Sequence, residues 1–98
     1  MGFYVYILNC ADGSYYTGHT DNLEARIVAH QTGRIPGYTQ NRRPLKLVFA
    51  EELSSRQEAF ERERQIKGWT RAKKRALIRG DWEHLIRLGK SRGSTGSP

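Results

Sequence analysis

The chain opens on Gly2-Phe3-Tyr4-Val5-Tyr6-Ile7-Leu8, rich in β-branched and aromatic residues. That pattern predicts a strand from Tyr4 to Cys10. Ala11-Asp12-Gly13 is a turn signal, and Ser14 to His19 returns as a second strand. The turn length decides what the strands share. A two-residue Asp12-Gly13 turn puts Tyr6 and Tyr16 on opposite faces. A three-residue loop with Gly13 in the left-handed region pairs Cys10 with Ser14 and puts both tyrosines on one face.

Asp21 followed by Glu24 forms a capping-box pattern, so a helix is expected from Asn22 to about Thr32, with Leu23, Ile27 and Val28 as its apolar side and Gly33 as its stop. Arg34 to Arg43 holds Pro36, Gly37 and Asn41 and reads as a loop. Leu45 to Ala50 reads as a third strand, introduced by Pro44. Ser55 with Glu58 opens a second helix to about Lys67, and Thr70 caps a third to about Arg79. Asp81 starts a short last helix carrying Trp82, Leu85, Ile86 and Leu88. That helix either caps the core or offers an apolar face to a partner. The Gly/Ser-rich tail from Gly89 to Pro98 reads as disordered. The expected organisation is one domain over residues 1–88 and a tail over 89–98.

Composition narrows the class. With 98 residues, 37% apolar and 28% charged, the chain is an ordinary globular protein with room for one modest core. The single cysteine, Cys10, allows no internal disulfide and fits a reducing, cytoplasmic setting. The N-terminal run has no basic flank and no small-residue cleavage site. It is also too short to span a bilayer.

The net charge of +7 is unevenly placed. Residues 1–53 carry five basic and five acidic residues, whereas residues 54–98 carry twelve basic and five acidic. Arg62 to Arg79 alone holds eight basic residues against one acid, Glu63. A one-sided basic surface attracts polyanions, so Arg62, Lys67, Arg71, Lys73, Lys74 and Arg75 are candidate nucleic-acid contacts. The plainer alternative is a solvated helical face. A membrane fits less well, because no apolar stripe beside the charges is broad enough to insert.

The chain has no P-loop, dinucleotide fingerprint, CxxC pair or HExxH. His19, His30 and His84 lack zinc-finger spacing. Two helical pairs stand out: Arg26 with His30, and Glu63 with Lys67, each four apart and so on one face. Glu63 is either an intrahelical ion-pair partner of Lys67 or Arg62, or a hard-metal ligand where phosphates gather.

Taken in order, these pieces resemble the GIY-YIG nuclease family. Tyr4-Val5-Tyr6 stands at the first motif and Tyr16-Thr17-Gly18 at the second. Thr20-Asp21-Asn22-Leu23-Glu24-Ala25-Arg26 with His30 is similar to the family's T-x-x-L-x-x-R-x-x-x-H helix. Ala59-Phe60-Glu61-Arg62-Glu63 resembles the segment that carries its metal-binding glutamate. Continuation as Arg64-Gln65-Ile66-Lys67-Gly68-Trp69 looks like the small stand-alone bacterial members. The resemblance covers residues 3–80. It implies an α+β fold, a three-stranded antiparallel sheet flanked by helices. It further implies Mg²⁺- or Mn²⁺-dependent hydrolysis of phosphodiester bonds, with DNA (or RNA) as partner. Tyr6 or Tyr16 would activate the attacking water, directly or through a metal-bound hydroxide. Arg26 would neutralise phosphate oxygens and Glu63 would hold the metal. A tyrosine is a poor base at neutral pH unless cations lower its pKa, and Arg26 and the metal are such cations.

Three departures are visible, one being that no residue matches the asparagine many members place after the glutamate helix, where Lys67 or Gln65 stands. Tyr4 replaces the first-motif glycine. His19 stands where several active members carry lysine, a position from which it would contact phosphate or protonate the leaving group. No auxiliary DNA-binding domain is expected in this chain, and a partner protein is a candidate source of specificity. A binding module with weak or partner-dependent catalysis is the competing reading.

Overall fold

The N-terminal apolar run is unbroken because its strand is flanked on both sides and covered on both faces. In the computed structural model, which describes residues 2–88, β1 (Phe3–Asn9) is the centre of a three-stranded sheet. β2 (Tyr15–Thr20) and β3 (Lys46–Leu53) pair with it antiparallel, in the order β2-β1-β3. Val5, Ile7 and Leu8 have no exposed surface, and Tyr6 has 1%. A side chain buried on either face escapes water at about 1.5–3 kcal/mol, so alternation carries no advantage here. β3 runs through Leu53, three residues beyond the expected end, because β1 offers pairing partners down to Phe3. A register shift between Ile7 and Leu8 bulges β3.

The hairpin takes the three-residue form. Cys10 N–H donates to the Ser14 carbonyl at 2.8 Å, and Gly13 sits at φ +86°, a region that suits glycine. Tyr6 therefore pairs with Gly18 and Leu8 with Tyr16, so both tyrosines share one face.

That face is covered by α1 (Leu23–Gln31). Leu23 and Ile27 pack on the buried cluster of Tyr6, Leu8, Cys10 and Leu45. Two expectations need correction. The N-cap is Asn22, whose Oδ1 accepts from Ala25 N–H, and not Asp21. Asp21 points away and pairs with Arg56 at 3.2 Å. Val28 is 55% exposed, whereas His30 is buried. The inward stripe is Leu23, Ile27 and His30, spaced four and three apart, and Val28 lies off it.

The opposite face, with Phe3, Val5, Ile7 and His19, is covered by α2 (Arg56–Lys67). Ser55 Oγ accepts from Glu58 N–H, and Glu58 reaches back to Ser54, which fixes the helix start. Ala59, Glu63 and Ile66 are its buried residues.

A second compact unit begins at Gly68. Thr70 Oγ1 accepts from Lys73 N–H and opens α3 (Arg71–Arg79). Asp81 Oδ1 accepts from His84 N–H ahead of a helical stretch over residues 82–88. In that stretch Trp82 and Ile86 are each 58% exposed, and Leu85 and Leu88 are half-buried. The Gly/Ser-rich tail lies outside the described residues. Among the described residues, no helix is long and apolar enough to cross a membrane.

Candidate active site

The site is built around the edge strand β2. Gly18 is the reason it can form. The Tyr6 phenol lies across Gly18, where an added Cβ would come within 2.6 Å of Tyr6 Oη and 3.2 Å of Tyr16 Cε2. A glycine lets the buried tyrosine cross the strand and bring its hydroxyl to His30. Tyr6 Oη and His30 Nε2 are 2.8 Å apart, and His30 Nδ1 and Thr39 Oγ1 are 2.9 Å apart. The Tyr6 and Tyr16 ring centroids are 6.4 Å apart, and Tyr16 meets the His30 ring edge-on at 5.2 Å.

Charge states follow from the surroundings. Burial pushes the Tyr6 phenol well above its ordinary value of 10.0, and Tyr16 and Glu63 add to this. Arg26 pulls it back, but by less. Arg26 alone therefore does not outweigh the burial of Tyr6. Burial also holds His30 below its ordinary 6.5, and Arg26 adds to the effect. A protonated phenol beside a neutral imidazole fixes the direction: Tyr6 O–H donates to Nε2, and Nδ1–H donates to Thr39 Oγ1.

The folded state holds the proton of His30 less tightly than the unfolded chain, for which 6.5 applies. Its contribution to stability is therefore complete above that pH and is lost as pH falls through the lower, folded value. The thermal midpoint should drop below pH 6.5 more steeply for the wild type than for His30→Asn. Equal acid slopes by circular dichroism would contradict a neutral, buried His30.

Glu63 is 8% exposed. His19 Nδ1 donates to its Oε1, and Lys67 Nζ donates to its Oε2 at 2.5 Å. Burial pushes this carboxyl up, but the hydrogen bonds and charges of Lys67 and His19 outweigh it and leave Glu63 below its ordinary 4.5, ionised at neutral pH. His19 therefore engages the glutamate. Arg26 is exposed on α1 and acts electrostatically on both Tyr6 and His30.

Among the described residues, no group of three metal-ligating side chains converges. One ionised carboxylate still fits Mg²⁺ or Mn²⁺, which keep waters and bind through one or two carboxylates plus substrate phosphates. A cation at Glu63 would take the place of the Lys67 ammonium, whose side chain is 51% exposed and returns readily to water.

The structure brings together Tyr6, Tyr16 and His30, and separately His19, Glu63 and Lys67, with the Glu63 charge felt at Tyr6. Of the candidate phosphate contacts, Arg62 faces Glu51 at 3.6 Å and Lys73 lies over the Trp69 ring at 4.8 Å. Arg71 and Arg75 are exposed, and Lys74 is half-buried. Thr39 and the neighbouring Tyr38 were missed. They sit in an irregular loop with no periodicity to mark them.

The two tyrosines thus share one sheet face with Gly18 against both, while Glu63 stands on α2, the helix that covers the other face. The chain belongs to the GIY-YIG family: the GIY-YIG catalytic domain matches residues 2–76. It is 49% identical over 75 residues to UPF0213 protein SH2523 of Staphylococcus haemolyticus, covering 76% of this chain and 92% of that one. A second relative, UPF0213 protein NP_0776A of Natronomonas pharaonis, is 45% identical over 75 residues, covering 76% and 88%. Among solved structures, UPF0213 protein BH0048 of Bacillus halodurans is similar at TM-score 0.53 and 42% identity, covering 80% of this chain and 83% of that one. The protein EF2693 of E. faecalis is similar at 0.58 and 34%, covering 82% and 85%. GIY-YIG nucleases generally use divalent metal ions and act on nucleic acid.

Proposed function

We propose that this chain is a metal-dependent endonuclease that hydrolyses phosphodiester bonds of DNA, selecting structured substrates of the kind met in repair or recombination. The observation that carries the reading is the buried Tyr6–His30–Thr39 hydrogen-bond chain beside Tyr16, with Glu63 ionised nearby. Phosphoryl transfer needs charge neutralisation and positioning more than an elaborate relay.

The residues divide the work by their surroundings. Tyr6 is protonated at rest, so it becomes a base only by handing its own proton to neutral His30 as it takes one from the attacking water. Thr39 holds the imidazole in the accepting tautomer. The hydroxide oxygen then bonds to phosphorus, the phosphorus–oxygen bond to the leaving strand breaks, and a solvent water protonates the departing oxygen. Tyr16, half-buried beside His30, orients the water. Arg26 faces the non-bridging oxygens with a permanent charge. Glu63 would hold Mg²⁺ or Mn²⁺, which when bound neutralises charge developing at the leaving oxygen. The basic residues of α3 add sequence-independent affinity for phosphates.

Supercoiled, flap and single-stranded DNA should each be tested with Mg²⁺ or Mn²⁺. Cleavage that requires the ion and stops with EDTA is expected. No cleavage of any form, with binding that weakens steeply in salt, would favour the second reading. That reading, a binding module without turnover, draws on one observation: both Glu63 oxygens are already occupied by His19 and Lys67.

A further inference from the structure

The loop between α1 and β3 carries a flat, rigid surface beside the tyrosines. Tyr38 is 42% exposed. Its ring stacks near Tyr16, with centroids 6.1 Å apart and planes tilted by 30°. The Arg42 guanidinium lies 4.0 Å over the Tyr38 ring. Arg42 is held in place: Nε donates to Asp12 Oδ2 at 3.0 Å and Nη1 to the Tyr38 carbonyl at 2.7 Å. The backbone on either side is fixed too. Thr39 is buried and bonded to His30, and Ala11 N–H donates to the Arg42 carbonyl at 2.9 Å. A partly exposed aromatic ring with a guanidinium over it is thus anchored one ring, Tyr16, away from both His30 and Tyr6.

We propose that Tyr38 and Arg42 form a stacking platform for an unpaired nucleobase next to the scissile phosphate. This makes single-stranded or locally unpaired DNA the substrate class, and it rests on the nuclease reading above. A base inside a duplex has both faces covered by its neighbours, whereas an unpaired base offers a face to an aromatic ring. Arginine adds a cation–π contribution and its own flat surface. Asp12 offsets the Arg42 charge, so the pair favours a base over a bare phosphate. A ring held by Thr39 and the hairpin turn is ordered before substrate arrives, which lowers the entropy cost of stacking.

The test uses the full chain in EDTA, where cleavage does not interfere. The probes are a single-stranded oligodeoxynucleotide carrying 2-aminopurine and a blunt duplex of the same length. Binding of the single strand should quench the 2-aminopurine fluorescence. Tyr38→Leu should abolish the quench and weaken single-strand binding about tenfold, with duplex binding nearly unchanged. Tyr38→Phe should retain both, which separates stacking from loss of fold. Unaltered single-strand binding by Tyr38→Leu would overturn the proposal, as would an equal loss on both probes. If the wild type cleaves DNA with Mg²⁺ but shows no quench, the platform fails and the nuclease reading stands. If it quenches and prefers single strands without cleaving, the platform stands and the nuclease reading fails.

Discussion

Glu63→Gln is expected to slow phosphodiester cleavage by about a hundredfold or more, the usual cost of losing one preorganised charge at a phosphoryl-transfer site. Glutamine keeps the shape and one oxygen but loses the negative charge that a hard cation requires. That charge is well defended at neutral pH, because Lys67 and His19 hold the Glu63 carboxyl ionised against its burial. The same partners make the substitution tolerable for folding. Lys67 is 51% exposed and His19 28% exposed at the side chain, so both can turn to water, and an ion pair with one exposed member contributes little. Single-turnover cleavage with Mg²⁺ and Mn²⁺ titration by calorimetry check the two halves. The variant should melt close to the wild type yet bind the ion weakly and cleave slowly. Wild-type cleavage by a folded Glu63→Gln would remove Glu63 from the mechanism.

The second large effect concerns a residue with no side chain. Gly18→Ala would place a methyl group 2.6 Å from Tyr6 Oη and 2.8 Å from Tyr6 Cζ. Tyr6 cannot retreat, since it is 1% exposed and bonded to His30. Overpacking of this kind costs about 1–3 kcal/mol, and here it also breaks the alignment of the proton path. The variant should lose stability in urea and lose cleavage together. Tyr6→Phe removes the closest atom, so the double variant should be less destabilised than the sum of the singles, a coupling of about 1 kcal/mol. Gly13→Ala is the control. Nothing lies within 4 Å of its Cβ position, so only the strain of φ +86° remains, about 1–2 kcal/mol, with no loss of cleavage. Additive singles at Gly18 and Tyr6 would show that the glycine serves the strand and not the tyrosine.

Much of this was legible in the sequence, and the failures have physical causes. The Asp12-Gly13 turn was legible, although its two-residue and three-residue forms stayed open until the Cys10–Ser14 hydrogen bond decided between them, and Ser55, Thr70 and Asp81 marked helix starts correctly. These are local effects of backbone freedom and capping. The Asn22 cap was misread as Asp21 because both side chains suit that role. The choice depends on Arg56, far along the chain, which takes Asp21. Val28 looked like a core residue, and His30, a candidate site residue, was not placed in the core. The inward stripe includes position 30, and the polar cost of burying its ring is met by Tyr6 and Thr39, neither of them a near neighbour in sequence. The Glu63–Lys67 pair was readable from its spacing of four, whereas the His19 contact spans 44 positions and arises only from the packing of α2. The depth at which Tyr6 is buried was not readable either, because a sequence displays the nearby Arg26 but not the packing that outweighs it.

Turnover of phosphodiesters is proposed to rest on Tyr6, held by His30 beside Tyr16 and within reach of the Glu63 charge. Its most direct test is cleavage of one supercoiled plasmid by wild type, Tyr6→Phe and Glu63→Gln, purified side by side and assayed with Mg²⁺. The account predicts nicking by the wild type alone, stopped by EDTA, with both variants folded and still able to bind DNA. Equal nicking by all three proteins, or none by a wild type that binds DNA and Mn²⁺, would contradict it.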